Sequence, residues 1–191
     1  TDLAAGAPNG SNGGRGVVYI MMRDTNYAVS SVQEISISSG NLGISLNAAA
    51  RFGSDIIPMG NLDGEKGPDI AVGIPLFKPA SKLKGAVAFL YLDTNGTVDH
   101  SRIITDTSAN FLDTLMGSVR FGEKIENIGD IDGNGVDDIA VAAPYYNSYA
   151  GSIYIILLDS NQAIDTMQVI NDTTAGVPIA VSNDNFLGMG M

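Results

Sequence analysis

The stretch DIDGNGVDDIAVAAP, Asp130 to Pro144, decides how the rest of this chain is read. Oxygen-bearing side chains stand at alternate positions, Asp130, Asp132 and Asn134, and return at Asp138. Gly135 falls where the loop must turn sharply, and glycine adopts positive φ at little steric cost. Those four side chains, the Val136 backbone carbonyl and water suffice for the six to eight oxygens, at about 2.3–2.6 Å, that Ca²⁺ prefers. Mg²⁺ demands a tighter octahedron and fits less well. An EF-hand would need a bidentate Glu at the twelfth position and a helix on either side. The twelfth residue here is Val141, inside an apolar β-like run. Asp, Asn and Gly also build ordinary turns, but clustered carboxylates without a cation repel one another.

The loop has relatives along the chain. NLDGEKGPDIAVGIP spans Asn61 to Pro75, and TDLAAGAP spans Thr1 to Pro8. Asp2, Asp69 and Asp138 therefore open three copies of one short apolar segment, almost evenly spaced. A second marker keeps the interval: Arg51-Phe52-Gly53 recurs as Arg120-Phe121-Gly122, and more loosely as Asn185-Phe186-Leu187-Gly188. A third is an apolar run after glycine, at Gly16 (GVVYI), Gly85 (GAVAFLY) and Gly151 (GSIYII). The latter two lead into polar turns at Asp93–Gly96 and Asp159–Asn161. Three markers in one order at one period indicate a repeat architecture.

Within a unit the pattern predicts four short strands: Phe121–Ile128, Asp138–Ala143, Ser152–Leu158, and a weaker one near Met167–Ile170, matched by Ser101–Ile104 one unit earlier. β-branched and aromatic residues fill the third, and Gly, Pro, Asn and Asp punctuate the junctions. The expected fold is all-β, with β-propeller blades of four antiparallel strands each and about three blade repeats. The units fall at 1–51 (the C-terminal part of a first blade), 52–120, 121–185 with the best loop, and 186–191, the start of a next repeat. Ala71, Gly73, Ala140 and Ala142 are expected to let inner strands approach closely. A β-sandwich is the alternative, but a sandwich does not require the repeat.

Composition narrows the function. The chain has 191 residues, 45% hydrophobic and 16% charged, with 23 glycines. The net charge is −11 and only ten Lys and Arg are present, which argues against binding nucleic acid. No cysteine is present, so disulfides and thiolate metal sites are excluded. No apolar run approaches a membrane span, so membrane insertion is not expected.

These markers together resemble the FG-GAP repeat, the blade unit of the integrin alpha-subunit β-propeller and of many bacterial surface proteins. Phe121-Gly122 is the Phe-Gly pair. Gly6-Ala7-Pro8, Gly73-Ile74-Pro75 and Ala142-Ala143-Pro144 are the "GAP" elements, with the cation loop between. The long linkers look closer to the bacterial type. The resemblance implies a non-enzymatic, Ca²⁺-binding segment of a secreted or cell-surface protein, in adhesion or extracellular assembly. It implies as partners an extracellular protein or glycan ligand, and further blades from the parent chain or other copies. The alternatives are an accessory propeller of a secreted hydrolase or lyase, or a repeating subunit of an extracellular fibre. The sequence starts and stops inside a unit, so either a longer chain or association of copies is expected to complete a propeller.

The second loop is a degraded copy. Its ligand candidates are Asn61, Asp63, Glu65, the Gly67 carbonyl and Asp69, while Lys66 replaces the turn glycine. Weaker metal binding, or none, is expected there. Of the first unit's loop only Asp2 remains. His100, the single histidine, reads as a turn residue rather than a base. Tyr145, Tyr146 and Tyr149 form a cluster suited to a contact surface or to packing between blades. N-x-S/T sequons begin at Asn9, Asn95 and Asn171.

Overall fold

The computed structural model describes residues 2–10, 13–65, 67–79, 83–112, 115, 117–175 and 185–191. Alternating apolar positions between turn residues produce eleven strands among them, in three antiparallel sheets. The first sheet holds β1 (Leu3–Ala7), β2 (Val17–Arg23) and β3 (Val29–Ile35). The second holds β4 (Ile56–Gly60), β5 (Asp69–Ile74), β6 (Ala86–Leu92) and β7 (Val98–Ile104). The third holds β8 (Ile125–Gly129), β9 (Asp138–Ala142), β10 (Ile153–Leu158) and β11 (Ile164–Ile170). Strands follow one another in sequence order within each sheet, as in propeller blades. The fold is an all-β partial propeller.

Each sheet uses both faces. Ala86, Ala88 and Leu90 of β6 pack with Val18, Ile20 and Ile35 of the first sheet. The alternate residues Val87, Phe89 and Tyr91 pack with Tyr154, Ile156 and Leu158 of the third. β6 is therefore buried along its whole length, the pattern of a strand covered on both sides.

The Phe-Gly pair is a junction rather than a strand start. The first strand of the third unit begins at Ile125, not at Phe121 as the pattern predicts. Phe121 is fully buried and pairs in parallel with Gly85 of the preceding sheet; its N–H donates to the Lys84 carbonyl at 3.1 Å. Gly122 donates to the Ala142 carbonyl of its own sheet at 3.0 Å. Phe52 repeats this, pairing with Gly16 and donating to Arg15 at 2.9 Å. One turn thus binds two sheets. A Cβ on Gly85 would lie 2.0 Å from the Phe121 carbonyl oxygen, and one on Gly73 would lie 2.1 Å from that of Gly122.

Ala71, Gly73, Ala140 and Ala142 lie on β5 and β9, the second strands of their sheets, not on the innermost edge. The sheets approach through β4 against β8, β1 against β4 and β5 against β8, and Gly73 meets the Gly122 backbone as expected of a small residue. The side-chain amide of Asn127 on β8 donates to the Pro58 carbonyl on β4 at 3.2 Å. The looser third Phe-Gly copy is shifted by one residue: Leu187, not Phe186, pairs with Gly151. Phe186 takes the positive-φ position that Arg51 and Arg120 hold in the earlier turns.

The fourth strands begin earlier than predicted, at Val98 and Ile164. Asp159 accepts N–H bonds from Asn161 and Ala163 at 2.8 and 2.9 Å, which closes a tight hairpin. Pairing resumes at once across an irregularity at Leu157/Leu158. The polar residues Asp165 and Thr166 hide this stretch from a hydrophobic pattern.

Gly85→Ala is expected to lower stability more than Gly129→Ala. Both have positive φ, but a Cβ at Gly129 meets nothing within 4 Å. Phe121→Ala is expected to cost about 3–5 kcal/mol. Urea unfolding of the three variants measures this; equal losses for the two glycine variants would refute the close-approach role.

Candidate cation loop

The loop between β8 and β9 is organised by hydrogen bonds to its own acids. Asp130 Oδ1 accepts from the N–H groups of Gly133 and Asn134 at 2.8 and 3.0 Å, and Oδ2 from that of Gly135 at 2.8 Å. Asp132 Oδ1 accepts from Asn134 N–H at 3.0 Å, and Asn134 Oδ1 from Val136 N–H at 2.8 Å. The Asn134 amide donates to the Leu158 carbonyl at 2.8 Å, tying the loop to the end of β10.

Asp138 anchors the arrangement. It is 0% exposed. Its Oδ2 accepts from Ile131 N–H at 3.0 Å and its Oδ1 from Leu158 N–H at 2.9 Å. One carboxylate oxygen from each of Asp130, Asp132 and Asp138 lies within 4.8 Å of the others. Backbone N–H donors, Gly135 foremost, hold the Asp130 carboxyl below the usual carboxylate range. A cluster of carboxyl oxygens on side chains fixed by backbone hydrogen bonds is the donor set a hard cation takes. Three predicted ligands are thereby brought together. Asn134 stands beside Asp132, with its amide 3.2 Å from Asp132 Oδ2. Val136 packs its side chain against the core.

The second loop repeats two of these bonds and adds one of its own. Asn61 Oδ1 accepts from Gly64 N–H at 2.8 Å, and its amide donates to the Glu65 carbonyl. Asp63 accepts from Glu65 N–H at 2.8 Å. The amide that replaces a carboxylate therefore bonds within the loop, and Asn61 adds no charge. Among the described residues three acids gather only at Asp130, Asp132 and Asp138, so Asp63, Glu65 and Asp69 do not form a matching cluster. Gly67 presses on the Leu92 carbonyl, which a Cβ would approach to 1.7 Å; in the third loop the Asn134 amide caps the corresponding carbonyl of Leu158. Lys66 lies outside the described residues.

Asp69 nevertheless keeps the anchor role. It is 1% exposed and accepts from Leu62 and Leu92 N–H groups at 2.6 and 3.0 Å. Burial raises its pKa, against the pull of these two bonds. Asp2 accepts from Arg23 N–H at 2.9 Å. All three aspartates thus bind the last residue of the next strand along the chain, β2, β6 or β10. A spacing argument sees in this position only a metal ligand.

The weaker signals make local contacts. His100 stacks on Tyr91, ring centres 3.9 Å apart, and bonds Asp99 at 2.9 Å. Tyr91, its hydroxyl pKa pushed up to about 12 by burial, donates to Gln162 across the second and third sheets. Tyr145 and Tyr149 pack on each other and on Phe186, and Arg120 lies 3.8 Å over the Tyr145 ring. Asn171 is buried, its side chain accepting from Thr173, which does not suit a glycan acceptor. The Asn9 sequon extends to Ser11, outside the described residues.

Comparison with known proteins agrees with this geometry. The FG-GAP repeat model matches residues 127–156, from β8 through the loop into β10. Integrin alpha-4 of Xenopus laevis is 32% identical over 150 residues, covering 75% of this chain and 13% of that protein. Integrin alpha-6 of Gallus gallus is 28% identical over 153 residues, 80% of this chain and 12% of that protein. Integrin alpha-PS5 of Drosophila melanogaster is 31% identical over 99 residues, 52% of this chain and 9% of that protein. The chain thus spans about an eighth of the length of the first two.

Asp138→Ala leaves the N–H groups of Ile131 and Leu158 without their acceptor and is expected to cost about 1–3 kcal/mol for each one left buried, even in the absence of cation. Asp130 makes stability depend on pH. Its folded pKa is depressed, so its stabilisation is present above the ordinary carboxylate range and is lost as pH falls through the depressed value. Chelated protein melted at neutral and at acid pH tests both: Asp130→Asn should show the smaller acid-side loss, and a loss as large as in the unaltered chain would refute the assignment.

Proposed function

This chain is built of FG-GAP repeats of the integrin alpha type, and from that premise we propose that it is a non-enzymatic, Ca²⁺-binding propeller segment of an extracellular or cell-surface protein, acting in adhesion or extracellular assembly. The convergence of Asp130, Asp132 and Asp138 carries the cation reading. Carboxylate, amide and carbonyl oxygens suit a hard cation, and the flexible shell of Ca²⁺ suits a loop better than the strict octahedron of Mg²⁺. Asp130, Asp132, Asn134, Asp138 and the Val136 carbonyl hold the ion. The Asn61–Asp69 loop stays closed through its own hydrogen bonds and binds weakly or not at all.

The cation works as a staple. It binds a site that only the folded loop assembles, so it stabilises the fold by mass action. Asp138 lies against β10, so the bound loop and the outer hairpin of the sheet are held as one piece. The surface side fits the relatives, which are integrin alpha chains, and no helix among the described residues is long and apolar enough to cross a membrane. For the ligand, an extracellular protein or glycan, the recess of about 830 Å³ beside Tyr145, Tyr149 and Arg120 offers aromatic and cationic surface. It lies beside the β9–β10 connection, at the opposite end of β9 from the cation loop.

Calorimetric titration with Ca²⁺ is expected to show one site of measurable affinity, removed by Asp130→Ala or Asp132→Ala and kept by Asp63→Ala. At a hundredfold excess over Kd the ion adds about 2.7 kcal/mol, or roughly 5–10 °C in Tm for a chain of this size. Absence of binding, or a melt unmoved by chelator, would sink the proposal.

A further inference from the structure

We infer that Asn95 is an acceptor for an N-linked glycan. The inference rests on the extracellular reading above, because oligosaccharide transfer takes place beyond the cytoplasmic membrane.

The described residues contain the same hairpin three times: Asp24–Ala28 between β2 and β3, Asp93–Thr97 between β6 and β7, and Asp159–Ala163 between β10 and β11. In each, the Asp carboxylate accepts from the N–H groups two and four residues on, at 2.8 to 3.1 Å. The fourth residue, Tyr27, Gly96 or Gln162, has positive φ, and an Asn stands third in all of them. Asp and Asn therefore serve the turn itself. The fifth residue sets one hairpin apart. Ala28 and Ala163 close theirs without a hydroxyl, and only Thr97 brings one. That single difference completes an N-x-T sequon at Asn95. Asp93 also stands two residues before the acceptor, which meets the stricter form that bacterial transferases recognise.

The geometry presents the amide. Asn95 is exposed. Its Oδ1 accepts from Thr97 N–H at 2.9 Å and its own N–H donates to Asp93 at 3.0 Å. Its Nδ2 is left without a partner among the described residues. The Thr97 hydroxyl donates to Asp93 Oδ2 at 2.8 Å, so acceptor, hydroxyl and acid share one turn. A recess of about 600 Å³, lined by Asp93 and Thr94 with Asp63, Glu65 and His100, leaves room beside it. Asn171 shows the contrast. It accepts the same bond from Thr173 N–H but is only 8% exposed, and Val169 stands where the acid would be. A bulky glycan needs a surface acceptor.

In the reaction Nδ2 of Asn95 attacks the anomeric carbon of a lipid-pyrophosphate-linked oligosaccharide. The new N–C bond forms as the C–O bond to pyrophosphate breaks, the lipid pyrophosphate leaves with the electron pair, and the amide's displaced proton passes to the medium. The cell supplies donor and transferase; this chain supplies the nucleophile.

The test is to export the chain, behind a fused signal peptide, into the periplasm of a bacterium carrying such a transferase, together with a reference acceptor protein. Mass spectrometry of its peptides should find the glycan on Asn95 in most molecules. Asn95→Gln and Thr97→Ala should each abolish it at this site, with thermal melting confirming that both fold; Thr97→Ala only restores the alanine of the two sister hairpins. An unmodified Asn95 beside a modified reference acceptor overturns the inference and leaves the extracellular reading untouched, since the signal peptide supplies export. A glycan on Asn95 that survives Thr97→Ala overturns it too.

Discussion

The close approach of backbone to backbone at the Phe-Gly turns is the constraint on which this structure depends. A turn such as Arg120–Gly122 donates one N–H to the sheet before it and another to its own. The two sheets can stand that close only because Gly73 and Gly85 present no side chain there. The buried Phe then fills the space between the sheets. Everything else in the repeat follows from this spacing: small residues on the second strand, large apolar ones alternating on the third, and polar hairpins at the rim.

The cation loop is built on the same frame. Asp138 is a buried hydrogen-bond anchor, and Asp69 keeps that role in a loop where Asp63, Glu65 and Asp69 form no acid cluster. This separation of roles explains how the repeat tolerates a degraded loop. Asn61 replaces a carboxylate by an amide and the loop closes on itself, while the anchor below still fixes the end of β6. The joint is held by these hydrogen bonds alone, whether or not a loop gathers acids.

Much of this is legible in the sequence because the repeat tests itself. Markers returning at one interval reveal the units, and DxDxNG with a later Asp reveals the loop. Three things escape. The Phe-Gly pair reads as the start of a strand, because an apolar residue stands only a few positions before Ile125, whereas the pairing partner of Phe121 lies in another sheet. The one-residue shift that puts Leu187 in the phenylalanine position follows from the alignment to Gly151, which only three dimensions supply. The anchor role of Asp138 depends on the Leu158 N–H, far away in sequence. Spacing finds groups that share a loop; it does not find partners brought in by another strand.

The Tyr91–Gln162 bond has a spectroscopic consequence. The chain contains no tryptophan, so its near-ultraviolet emission comes from tyrosine. Tyr91 is buried at the contact of the second and third sheets and donates its hydroxyl across it. Phenol emission is sensitive to such bonding, so separation of these two sheets is written into an intrinsic optical signal at a known place.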